Sequence, residues 1–127
     1  MAHLLGICAL TLVLVACQYR PLERTASAAS GDPARGREVF VSRGCTGCHT
    51  VRGVPGATGT LGPPLTSIAS TAGVRHAGLS AEAYIRESVV KPNAFVVAGF
   101  PSPSPMPPGL VAGPELDDLI AFLLTQH

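Results

Sequence analysis

Apolar residues along this chain recur at helical spacing in several places, and no stretch alternates with the two-residue period of a strand. The clearest pattern is "PELDDLIAFLLTQ" (114–126), where Leu116, Leu119, Ile120 and Leu123 fall at i, i+3, i+4 and i+7. Pro114 stands at its start, and Glu115, Asp117 and Asp118 fill the first turn, where the helix dipole favours anions. In "SAEAYIRESVV" (80–90), Ala81, Tyr84, Ile85 and Ser88 or Val89 share a face; Ser80 suits the N-cap, and Lys91-Pro92 ends the helix. Asp32-Pro33 is a matched helix start, leading into "ARGREVFVSR", which exposes Arg35, Arg37 and Glu38, buries Val39 and Phe40 and stops at Gly44. A short helix is expected through "LTSIAST" (65–71). With no strand pattern and no internal repeat, the predicted class is all-α.

Two loops separate these helices. Residues 52–64, "RGVPGATGTLGPP", are rich in Gly and Pro, and "AGFPSPSPMPPGLVAGP" (98–114) holds six prolines in seventeen residues. Alone, the second would pass for a linker. Between two helices of a compact domain it reads as a rigid loop with a task.

The N-terminus has a different character. Leu4 to Ala16 is an uncharged apolar run of thirteen residues, short of the ~20 that span a bilayer but suited to the core of a signal peptide. It ends in "LVAC", which resembles a bacterial lipobox; that resemblance implies that Cys17 receives lipid and becomes the mature N-terminus. Only His3, and no Lys or Arg, precedes the run, a departure from the usual signal. An ordinary secretory signal or an uncleaved anchor is the alternative. From Gln18 to Gly31 the chain is polar and rich in Ala and Ser, a tether of average reach roughly 20 Å and maximum ~50 Å. The expected organisation is a signal peptide over 1–16, a lipid-attached tether over 17–31 and a folded domain over 32–127, held at the outer face of a bacterial cytoplasmic membrane.

Composition narrows the function. The formal charge of +1 gives no basic excess for nucleic acid. Charged residues are 13% of the chain, about half the usual ~25%. A domain this small supports one modest core, which a large buried cofactor would help to fill. Cys8 lies in the signal and Cys17 is the lipid candidate, so the mature domain keeps Cys45 and Cys48.

These two stand in "SRGCTGCHTV" (42–51), three apart, with His49 directly after the second. Structural zinc needs four donors in two close pairs; beyond this stretch only His76 and His127 remain, and no second pair exists. A thioredoxin-like redox pair would sit beside a βαβ pattern, which is absent. C-x-x-C-H is the attachment sequence of c-type haem. Two thiols at this spacing reach both vinyl groups on one porphyrin edge, and the adjacent imidazole is forced beneath the ring. Export agrees with this, because haem c is assembled outside the bacterial cytoplasm.

Six-coordinate iron also needs a donor on the other face. Met106, the only methionine after the initiator, lies at the centre of "PSPMPPG". A packing methionine usually occupies a helix face; here the Pro-restricted backbone lowers the entropy lost in holding a sulfur in place. The other possibilities are His76 or an open site. His76 suits a surface or structural place, and His127 is terminal. "GPPL" (62–65) offers a free carbonyl to accept the ring N–H of a ligand histidine.

In order, these motifs resemble class I cytochromes c from Asp32 to Thr125. The resemblance implies a small all-α fold of three to five helices around one haem, covalent through Cys45 and Cys48, with His49 and Met106 as metal ligands. It also implies that the Pro63 carbonyl accepts the His49 ring proton and that Leu65 packs on the haem. First and last helices would cross at Gly36, Phe40, Leu119 and Phe122. "YIRESVVKPNAFVVAGFPSPSPMP" (84–107) is similar to haem c domains of oxidase subunit II and to the monohaem lipoprotein subunit of alternative complex III; the lack of an attached copper-binding domain favours the second or a free-standing carrier.

The implied activity is one-electron transfer, not catalysis on a small molecule, as a membrane-tethered carrier or a subunit of a respiratory or photosynthetic complex. The alternative is a haem enzyme or gas-binding protein in which Met106 is displaced. Around the attachment site, "TVRGVPGATGTLGPPL" (50–65) carries only Arg52 as a charge, so redox partner proteins are expected to dock mainly through apolar contact rather than a steering lysine ring. Arg52, Arg75 and Arg86 are candidate partners of the haem propionates, Tyr84 is a propionate or core residue, and Asn93 either bonds near the Met106 loop or forms a turn.

Overall fold

The computed structural model describes residues 30–127; the signal, Cys17 and nearly all of the tether lie outside them. Four helices form: α1 (Pro33–Ser42), α2 (Ile68–Arg75), α3 (Ala81–Val90) and α4 (Gly113–Leu123), with a 3₁₀ turn at Cys45–Gly47. Only an isolated antiparallel bridge, Thr50 to Thr58, has extended pairing among the described residues. None of the described helices is long and apolar enough to cross a membrane.

Local chemistry sets the helix starts. The Asp32 carboxylate accepts from the Ala34 and Arg35 amides, satisfying two N–H groups that α1 would leave bare. Ser80 Oγ accepts from the Ala83 N–H at 3.1 Å at the head of α3. Helix α2 starts three residues later than expected and runs through Gly73 to Arg75. The delay has a cause: the Ala69 N–H, which a helix from Leu65 would give to the Leu65 carbonyl, goes elsewhere, and Leu65 O accepts from the Ile68 N–H at 3.1 Å in a tighter turn. No side chain caps α2, but the Ala69 N–H donates to Gln126 O at 2.9 Å, so the C-terminal tail covers its first turn. Helix α4 correspondingly ends at Leu123, and Thr125 and Gln126 bond back in a tighter turn.

The α1–α4 crossing is the most extensive helix contact. Phe40, 1% exposed, meets Phe122 with ring centroids 5.7 Å apart, and Leu119 and Ile120 close the core beneath them. Gly36 lets the backbones approach: a Cβ there would stand 2.7 Å from Phe122 Cβ and 2.5 Å from the Asp118 carbonyl carbon. The crossing residues expected from the resemblance are thus in place. Helix α4 is buried beyond its predicted stripe, from Asp118 to Leu123 without interruption, because α1 covers one side and an apolar cavity opens on another.

Because α4 begins at Gly113, only Glu115 of the three expected acids lies in its first turn, and Asp117 and Asp118, one turn on, bond to other helices instead. Asp118, 7% exposed, accepts from the Asp32 N–H at 2.6 Å and from Arg35 Nε and Nη2 at 2.9 and 3.1 Å. These bonds tie the start of α1 to α4, and Gly31, assigned above to the tether, already packs against the Asp117 backbone. Arg86 of α3 donates to Asp117 at 2.8 Å and approaches Glu82, and Arg43 pairs with Glu115.

Candidate haem site

Helix α1 ends where Gly44 takes φ +76°, and the chain turns directly into the 3₁₀ turn that carries the first cysteine. The His49 N–H donates to Cys45 O at 3.0 Å, closing the cysteine–histidine segment into a compact turn. The loop after it folds back: the Gly62 N–H donates to Cys48 O at 2.8 Å. This brings "GPPL" against the imidazole, and His49 Nδ1 lies 2.8 Å from Pro63 O. A carbonyl only accepts, so Nδ1 carries the proton and Nε2 keeps its lone pair. Burial lowers the His49 pKa, with the Pro63 carbonyl opposing it. The ring is therefore neutral at pH 7, as ligation requires.

Gly62 has a role that the sequence motif alone did not reveal. A Cβ at this position would lie 2.8 Å from His49 Nδ1 and 3.0 Å from Nε2. The absence of a side chain lets the Pro63 carbonyl come alongside the ring.

Cys45, Cys48, His49, Pro63, Leu65 and Met106 all line one cavity of about 310 Å³. Its walls are mostly apolar, with Ile68 of α2, Ile85 and Val89 of α3 and Leu123 of α4 among them. Met106 is half-buried and packs against the core from the proline loop. The donor set fits an iron porphyrin: two thiols and an imidazole on one turn, a thioether on a separate loop, and greasy walls between. Thiol–disulfide chemistry fits less well. Burial raises the Cys45 pKa, as does neighbouring Cys48, outweighing its backbone hydrogen bond, whereas a redox-active cysteine needs its thiolate stabilised.

The remaining candidates separate clearly. His76 is absent from the cavity wall and packs edge-on against Phe95 at 4.9 Å, so it is not placed as a donor to the centre. His127 approaches Ser70 Oγ at 3.3 Å. Arg86, a propionate candidate by sequence, is engaged by Asp117 and Glu82, and Arg52 does not line the cavity. Arg75 does line it, and among the described residues it forms no ion pair with a carboxylate. Tyr84 takes the core role: it is 4% exposed, meets Phe95 edge-on at 5.9 Å and forms part of the cavity wall. Asn93 bonds into the Met106 loop, accepting from the Ser104 N–H at 2.7 Å.

An all-α fold with crossed terminal helices and a cysteine–histidine turn facing an apolar cavity defines a small covalent haem protein. Residues 33–127 match the family model for cytochrome c, and the chain belongs to that family. It carries a c-type haem attached through Cys45 and Cys48, and its activity is haem-based electron transfer. No curated protein matches the sequence. Among solved structures, the chain is similar to one described as the crystal structure of SoxXA from P. pantotrophus, at 24% identity and TM-score 0.49, over 76% of this chain and 82% of that one.

Proposed function

We propose that this protein is a lipid-tethered one-electron carrier, or an electron-transfer subunit, at the outer face of a bacterial cytoplasmic membrane, with His49 and Met106 as its axial ligands. The observation that carries the ligation is the 2.8 Å contact of His49 Nδ1 with Pro63 O. It leaves Nε2 as the ligating nitrogen, in a cavity that Met106 lines as well. The haem, when bound, supplies the one-electron couple of its iron. The protein's own share is orientation, exclusion of water and a docking surface.

A thioether and a buried, neutral imidazole, set in apolar walls, favour the reduced state and raise the potential. With His49 and Met106 both holding the iron, no position on it would be left for a substrate, which supports a carrier over an enzyme or a gas-binding protein. Carbon monoxide tests this. The expected result is that the ferrous wild type does not bind it and that Met106→Ala does; ready binding by the wild type would defeat the closed site.

The tether supports a place close to the membrane, with Cys17 as the lipid attachment point. Labelling cells with a radioactive fatty acid should mark the wild type, and Cys17→Ser should abolish the label; label on both would refute the assignment. The sparse charge of residues 50–65 and the exposed Leu61, which lines the cavity at 48% exposure, support apolar docking to a membrane electron-transfer complex. Electron-transfer rates to such a partner should change little with ionic strength, and a steep fall with salt would count against it.

A further inference from the structure

Between Pro101 and Pro108 five of eight residues are proline, so the segment that carries Met106 has three N–H groups: Ser102, Ser104 and Met106. None of the residues 101–112 donates or accepts in a backbone–backbone hydrogen bond among those described. A loop of this kind has stiff dihedrals but no ladder to fix its position on the domain. Two side chains replace the ladder. Asn93, just past the end of α3, accepts from the Ser104 N–H through Oδ1 at 2.7 Å. Ser104 Oγ accepts from the Met106 N–H at 3.2 Å. Two of the three available donors are thus used, and both bonds lie on the path from α3 to the methionine. The α3 end of the path is itself anchored, since the Lys91 N–H donates to Glu87 O at 2.7 Å and the Ala94 N–H to Lys91 O at 2.9 Å.

From this geometry we infer that Asn93 and Ser104 form a two-bond latch that holds Met106 over the cavity and sets how readily its sulfur leaves the iron. The inference rests on the reading of Met106 as an axial ligand. Prolines restrict the shape of the loop and the latch restricts its place. Asn93 is a positioning residue, acting through Ser104 and touching neither sulfur nor haem.

The test uses the intact holoprotein. Asn93→Ala removes the acceptor, while Asn93→Asp keeps an oxygen at the same position. A net hydrogen bond of about 1 kcal/mol corresponds to about a fivefold change in an equilibrium. Asn93→Ala should therefore raise amide exchange at Ser104 about fivefold. It should also raise the affinity of the ferric protein for added imidazole, which competes with Met106, by a similar factor, and weaken the charge-transfer absorption of methionine-ligated ferric haem. Asn93→Asp should restore all three. Asp118→Asn, which weakens the domain far from the loop, should leave the imidazole affinity unchanged. Adding Ser104→Ala to Asn93→Ala should change that affinity by less than the product of the single effects, because the two bonds act in series.

Unchanged Ser104 exchange and imidazole affinity in Asn93→Ala would overturn the latch. An imidazole affinity that follows global stability in Asp118→Asn would overturn it as well. Wild-type protein without the methionine charge-transfer band would instead overturn the ligation reading and Asn93's effect on the iron with it; Ser104 exchange would still decide whether Asn93 holds the loop.

Discussion

The glycine at the crossing of α1 and α4 makes a prediction whose sign depends on tertiary structure. Helix propensity alone says that Gly36→Ala stabilises α1 by up to about 1 kcal/mol. The structure says the reverse. The new methyl carbon would meet the Asp118 backbone and stand 2.7 Å from Phe122 Cβ, and neither neighbour is the free end of a flexible side chain. The helices must separate, loosening the Phe40–Phe122 contact and stretching the Asp32–Asp118 bond. Overpacking of this kind costs about 1–3 kcal/mol, and rigid neighbours place this site at the upper end, near ~3. Offset by the propensity gain, the net loss is about 2 kcal/mol. For a domain of this size that lowers Tm by about 8–16 °C.

Gly73 in α2 is the internal control. A Cβ there would meet only Ala81, with N at 3.7 Å and Cβ at 4.0 Å, ordinary contact distances. Gly73→Ala should stabilise the domain by about 0.5–1 kcal/mol. Thermal and urea unfolding of the two holo variants beside wild type reads both signs. Stabilisation by Gly36→Ala would refute the claim that close approach, not helix propensity, decides that position.

Asp118 predicts an acid limb. The Arg35 hydrogen bond, then the Asp32 amide, hold its carboxylate pKa below the ordinary range, against burial. A folded pKa below the unfolded value of about 3.9 means that its contribution is complete above that value and lost as pH falls through the folded one. Urea midpoints should drop below about pH 4 in the wild type and less steeply in Asp118→Asn, which should also be weaker at pH 7; identical acid limbs would contradict this. Gly62→Ala should push the His49 ring off the Pro63 carbonyl, lower the basicity of the imidazole and raise the reduction potential, with the ring N–H resonance in proton NMR as the direct check. Arg75→Gln should lower the potential, because losing a cation at the cavity wall stabilises the ferric charge; an unchanged potential would show that Arg75 is solvated rather than facing the cofactor.

Much of this was legible from sequence because the informative signals are local. Asp32-Pro33, Ser80 and Pro114 mark helix starts through chemistry confined to one turn, and C-T-G-C-H is a contiguous constraint. "GPPL" and the methionine among prolines could be read because their residue types are poor choices for packing. Pairings across the chain were not legible. Nothing around Asp118 indicates that its carboxylate meets Arg35, 83 positions away; in sequence it is one of three acids in a first turn. Arg86 looked as free as Arg75 until Asp117 of another helix was placed beside it. The start of α2 was misread because the Ala69 N–H goes to Gln126 at the far end of the chain, a pairing local propensity does not encode. Gly62 sat inside a quoted motif, but its importance is the space it leaves for a ring thirteen residues earlier, which no local pattern encodes.

The Asp32–Asp118 and Gly36–Phe122 contacts join the two extremities of the domain, so the architecture closes only when its final helix has been delivered. Until then the turn that bears Cys45 hangs from an α1 without its partner. A domain that closes this way encloses its centre only after both ends have met.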